Sequence, residues 1–129
     1  MYDVVLGIDA DEKRAEAQLE NIVELPVDNS SMRVTIVHVF DANPRGQSAS
    51  QVGAVRDTAD GLTEAGIEVE IRGSGGDPAE EILKVADQVD ADLISVAGRK
   101  RSPSGKAIFG SVSQSILLQT ALPVIVSGE

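Results

Sequence analysis

The 129-residue chain has no cysteine and no tryptophan, one tyrosine and two phenylalanines. Without cysteine there are no disulfides, no thiolate metal sites and no cysteine nucleophile. With so few rings, the core must be assembled from Val, Ile, Leu and Ala, as in parallel sheets covered by helices. A hydrophobic share of 42% is enough for one compact domain over residues 1–129. No apolar run approaches the roughly 18 residues a membrane span requires. The amino terminus also lacks the basic-then-apolar order of a signal peptide, so a cytoplasmic protein with no membrane partner is expected. Basic residues are scarce, with 11 Lys and Arg against 21 Asp and Glu and a formal net charge of -10. That balance excludes general nucleic-acid binding. The acids are spread over predicted solvent faces and Arg outnumbers Lys, which suits a halophilic protein; an ordinary acidic cytosolic protein is the alternative. Stability that rises from low to molar salt is the expected outcome, and a flat salt profile would remove the idea.

What is present alternates between apolar runs and helical periods. Residues 3–8 read as a buried first strand. Ala15, Leu19, Ile22 and Val23 share one face of a helix that stops before Pro26. Residues 34–40 form a second strand, followed by a polar connection over 41–50 that is a candidate lid. A helix carries Val52, Val55, Ala59 and Leu62 on one stripe and ends at Gly66. Residues 67–72 alternate apolar with charged and read as an edge strand. Asp77-Pro78-Ala79-Glu80 announces a helix whose core face holds Ile82, Leu83, Ala86 and Val89. Residues 93–97 form a fourth buried strand. Ser111 to Thr120 is a helix with Val112, Ile116 and Leu117 inward, and Val124 to Val126 is a short last strand. Five strands interleaved with four helices imply a doubly wound α/β domain with right-handed crossovers.

The most distinctive stretch is Gly98-Arg99-Lys100-Arg101-Ser102-Pro103-Ser104-Gly105-Lys106, with Gly110-Ser111 close behind. It holds four of the chain's Lys and Arg residues, follows an apolar strand and leads into a helix. Cations beside glycines and a helix start suit an anion, phosphate first. Each residue also has a plainer reading. Ser111 with Gln114 forms a capping box, Gly110 permits a tight turn, and Asp9 caps the first helix or stays solvated. His38, alone in an apolar strand, is a satisfied structural residue with no nucleophile to serve.

Other phosphate motifs fail. Gly98 and Gly105 are too far apart for a P-loop, and Ala107 stands where its hydroxyl belongs. No Gly-x-Gly-x-x-Gly follows the first strand, which excludes a Rossmann dinucleotide site. Ser74-Gly75-Gly76-Asp77 has part of the ATP loop of pyrophosphatase-type enzymes but follows the third strand, so turn and cap explain it better.

Val-Val-Leu-Gly-Ile-Asp at 4–9, Val-His-Val at 37–39, Gly-Asp-Pro-Ala-Glu-Glu-Ile at 76–82, Ala-Asp-Leu-Ile-Ser-Val-Ala-Gly at 91–98, Phe-Gly-Ser-Val-Ser at 109–113 and Leu-Pro-Val-Ile-Val at 122–126 follow one another along the whole chain. In this order they resemble the universal stress protein family. The resemblance implies an adenine nucleotide alpha-hydrolase-like fold, with a five-stranded parallel sheet in the order 3-2-1-4-5 and helices on both faces. It implies an adenine nucleotide, ATP or AMP, between strands 1 and 4. Asp9 would lie near ribose and adenine, and the main chain at Val39 would hold the base. Phosphates would meet a pattern of Gly, two residues, Gly, nine residues, Gly and then Ser or Thr. Gly98 matches its first position and Gly110-Ser111 its last. Arg101 replaces the second glycine, and eight residues instead of nine separate it from Gly110. Gly105 would then supply the close approach, with Arg99, Lys100, Arg101 and Lys106 neutralising phosphate oxygens. Asp9 is also a candidate ligand for Mg or Mn on the phosphates.

The resemblance further implies a homodimer joined at Val124 to Val126, an edge that tends to be paired. The expected function is a stress-response regulatory module that binds a nucleotide and acts on a protein partner. The alternatives are a dimeric interaction module that binds no nucleotide and a slow ATPase, whose only evident base would be Asp9 or a poised water.

Overall fold

The computed structural model describes residues 1–43, 45–98 and 110–128. Its elements are β1 (Tyr2–Gly7), α1 (Glu12–Val23), β2 (Met32–Phe40), α2 (Gly53–Glu64), β3 (Glu68–Gly75), α3 (Pro78–Gln88), β4 (Leu93–Ala97), α4 (Ser111–Gln119) and β5 (Val124–Ser127). The five strands form one sheet in the order β3-β2-β1-β4-β5, and every neighbouring pair is parallel. The expected α/β fold, its strand order and its helices on both faces are all present.

Alternation along each strand divides the core in two. Val4 and Leu6 of β1 join Val34 and Ile36 of β2 beneath Ile22 of α1 and Val55 and Leu62 of α2. Val5, Val37, Ile94 and Val96 face the other way, onto Ile82, Val85 and Ala86 of α3 and Ile116 of α4. Strands buried on both faces read as continuous apolar runs, which is why β1, β2 and β4 are so visible in the sequence. No helix among the described residues is long and apolar enough to cross a membrane.

Several local details differ from expectation. Val52 is the N-cap of α2 and stands outside its helical stripe. β3 runs on to Gly75, because residues 73–75 keep the ladder with His38 to Phe40 and a ladder is made by backbone alone. Val89 is the C-cap of α3, while Ala79 and Val85 complete that helix's buried face. In α4, Ser113 and Ile116 are buried, but Leu117 is exposed because nine residues present only a narrow inner stripe. Gly66 closes α2 as expected, at φ +86, where a side chain would be strained.

Candidate functional site

The sheet opens at the carboxyl end of β1. Its register with β2 runs to Gly7 opposite Val37, and the Ile8 N–H extends it by bonding the Val37 carbonyl at 3.0 Å. Its register with β4 stops earlier, at Leu6 opposite Ser95. Beyond that point β4 keeps only its pairing with β5, with Ala97 opposite Ser127 and the Gly98 N–H on the Ser127 carbonyl at 2.7 Å. The two central strands turn to opposite neighbours, and a crevice forms where strand order reverses.

The cavity there measures about 180 Å³. Val37 and Val39 of β2, Ile82 of α3, Val96 of β4 and Val112 of α4 give it apolar walls, with Asp9 and Asp41 as its acids. Among the described residues lining it there is no basic side chain. Gly7 gives close approach, since a Cβ at that position would stand 2.6 Å from Ile82 Cδ1 and would have to displace that side chain. Its carbonyl accepts a hydrogen bond at 2.9 Å from Nε2 of Gln18, a residue of α1 with no solvent exposure. Gln18 Oε1 and the Ser95 hydroxyl are also buried and have no hydrogen-bond partner among the described residues.

The structure brings part of the expected site to this crevice. Asp9 lines it, with its side chain 47% exposed. Asp9 Oδ1 accepts the Asp11 N–H at 2.9 Å, and Oδ2 pairs with Arg14 Nη1 at 3.1 Å. The cap of α1 is Asp11, whose carboxylate accepts the Arg14 N–H at 3.0 Å, so Asp9 is not needed for capping. Val39 is half-buried in the wall. Gly98 is buried against β5, where an added Cβ would lie 2.7 Å from Val126 Cγ1; this packing accounts for the glycine without a ligand. Gly110 is the N-cap of α4 in extended conformation. The capping box expected of Ser111 and Gln114 is absent because Ser111 already lies in the first turn. The Gln114 N–H bonds the Gly110 carbonyl at 3.0 Å, as does the Ser113 hydroxyl. The expected site residues Arg99, Arg101, Gly105 and Lys106 lie outside the described residues.

Among the described residues no group of three or more His, Asp or Glu side chains is arranged to hold a metal ion. The residues 41–43 and 45–50, expected as a lid, are tied together by Asn43. Its amide donates to the Gln47 carbonyl at 2.6 Å, and its Oδ1 accepts the Gln47 N–H at 2.8 Å. Sequence reading missed Asp41, although it follows β2 as Asp9 follows β1, and that placement was an available signal.

The universal stress protein family model matches residues 1–127. The chain is 33% identical over 123 residues to a universal stress protein of Mycolicibacterium smegmatis, covering 95% of this chain and 94% of that protein. A solved universal stress protein from Archaeoglobus fulgidus superposes with a TM-score of 0.76 at 28% identity, with 98% of each chain covered. An Arabidopsis thaliana universal stress protein family structure with AMP bound superposes with a TM-score of 0.71 at 19% identity, covering 100% of this chain and 92% of that one. In sequence along its length and in the order of its strands, this chain belongs to the universal stress protein family.

Proposed function

We infer that the crevice between β1 and β4 binds an adenine nucleotide, and that the protein acts through this binding as a stress-response regulatory module. The observation that carries the reading is the cavity at the strand-order reversal, with apolar walls of Val37, Val39, Ile82 and Val96 and acids at Asp9 and Asp41. Such walls accept the faces of a purine, and carboxylates accept hydrogen bonds from ribose hydroxyls or an exocyclic amine. AMP bound to the Arabidopsis relative supports the class of ligand.

The phosphate end carries the next step. Gly98 and Gly110 flank a stretch containing Arg99, Lys100, Arg101 and Lys106, and Val112 brings the first turn of α4 to the crevice. A helix amino end and nearby cations together favour an anion. In this reading Ser111 and the 99–106 cations meet the phosphates, with Gly105 giving close backbone approach. A divalent ion would arrive with the nucleotide, with Asp9 as a carboxylate of the crevice to receive it. Calorimetric titration of nucleotide-stripped protein with AMP and with MgATP tests the reading, using Gly110→Asp as control. Saturable heat, lost in that variant, is expected; no heat with either nucleotide would refute it.

A second reading, a dimeric interaction module without nucleotide, is favoured by Arg101 in place of the pattern's second glycine. Dimerisation itself is part of both readings. Val124 and Val126 are half-buried on an edge strand, and Leu118 of α4 is 79% exposed. A second copy pairing along β5 would cover this edge. Sedimentation at micromolar concentration is expected to give twice the chain mass, and a monomer unaffected by nucleotide or salt would overturn it.

A further inference from the structure

His38 is 7% exposed, in the interior row of β2 that also carries Val34 and Ile36. Its Nδ1 lies 2.8 Å from the carbonyl of Ile8. A carbonyl only accepts, so Nδ1 carries the hydrogen in this contact. The ring stands edge-on to Phe40, with centroids 4.6 Å apart and planes at 85°. Phe40 is half-buried, and a Cβ on Gly73, the β3 residue paired with His38, would come within 3.4 Å of Phe40 Cε2 and 3.0 Å of Ala49 Cβ. The imidazole therefore has an aromatic neighbour on one side and a hydrogen-bond partner at Nδ1.

That partner is the last carbonyl before Asp9. Two successive carbonyls at the end of β1 are taken by side chains from elsewhere in the fold: Gly7 by Gln18 and Ile8 by His38. The Ile8 N–H is held as well, by Val37. With both polar groups of Ile8 committed to β2, the direction in which the chain leaves the sheet is set, and Asp9 is delivered to the crevice.

We propose that His38 is a positioning residue for the crevice: by donating to the Ile8 carbonyl it fixes the exit of β1 and so the place of the Asp9 carboxylate. This inference rests on the nucleotide reading for its consequence and on the geometry of the ligand-free protein for its premise.

Three substitutions separate this role from general support of the core. In His38→Asn the amide occupies the position of Nδ1 and retains the bond. In His38→Gln the amide falls where Nε2 stood and misses the carbonyl, while His38→Leu removes the donor. The expected result is an AMP dissociation constant within about threefold of the parent for Asn, and about tenfold or more weaker for Gln and Leu. In the ligand-free proteins, hydrogen exchange at the Ile8 amide is expected to accelerate tenfold or more in Gln and Leu relative to the Leu6 amide, and to stay at the parent ratio in Asn. Should Leu fail to fold, the contrast between Asn and Gln decides. Equal acceleration at Leu6 and Ile8, or AMP affinity unchanged in Gln, would overturn the proposal. If the parent protein itself binds no AMP, the nucleotide reading fails, and the exchange ratio alone still tests whether His38 pins Ile8.

Discussion

The two ends of β1 are built in opposite ways. At the amino end, Asp3 lies in a row of paired charges across three strands, β1, β2 and β3. Its Oδ1 accepts from Arg33 Nε at 2.7 Å, Arg33 Nη1 reaches Glu68 at 3.9 Å, and the Asp3 N–H and carbonyl are both bonded to Asp92, at 2.9 and 2.7 Å. At the carboxyl end the carbonyls are taken by the Gln18 and His38 side chains, from a helix and another strand, two buried polar atoms have no hydrogen-bond partner among the described residues, and the strands part. One end is closed by pairing and the other is held open by design of its neighbours. A parallel sheet can thus keep its stability and its binding chemistry at opposite poles of the same strand.

Removing the amino-end charge gives the largest expected effect. Asp3→Ala should cost about 2 kcal/mol in urea unfolding, since a charge-assisted bond is lost from a largely buried carboxylate, with AMP affinity unchanged. The hydrogen bond that Arg33 donates to Asp3, and then the Asp3 charge, raise the Arg33 pKa above the ordinary value. A folded pKa above the unfolded one contributes stability in full below the unfolded value and loses it only as pH rises through the folded one. Deprotonation of Arg33 therefore adds no pH dependence near neutrality. Equal AMP weakening by Asp3→Ala would blur the division between the two ends.

At the open end, Gly7→Ala should push Ile82 toward the cavity, weakening AMP by about tenfold, or ~1.4 kcal/mol, with a comparable cost in stability. Calorimetry and unfolding on the same sample check both. Asp9→Asn should change stability by less than about 1 kcal/mol, because its pair with Arg14 is substantially exposed, while lowering AMP affinity severalfold. The smallest effect belongs to Ser95→Ala. A hydroxyl with no hydrogen-bond partner among the described residues should be removable at a cost near zero, within about 0.5 kcal/mol; a loss of about 2 kcal/mol would reveal a bound water that the hydroxyl holds in place.

The fold was legible because β1, β2 and β4 are apolar runs and the helices between them keep their period. Asp77 and Pro78 marked the start of α3 for a local reason, a cap acting on the next turn. The crevice was legible at Asp9 and Val39, which lie at strand ends. Gln18 was not, since an amide in mid-helix looks solvated until the Gly7 carbonyl that needs it is placed beneath. Nor was the early end of the β1–β4 ladder, because register between distant strands is a tertiary property. Ser111 misled for a smaller reason: one residue of offset in the start of α4 converts a cap into a first-turn residue.

Ser127 is buried on β5 and faces two ways. Its carbonyl holds Gly98, the last described residue before the cationic stretch, and its hydroxyl receives Asn21 of α1 at 2.6 Å. The outermost strand thereby holds both the residue that precedes the cationic stretch in sequence and the first helix. Ala97, paired with Ser127, stands in the crevice wall, so the outer strand of the sheet and the wall of the crevice share one set of bonds that reaches back to α1.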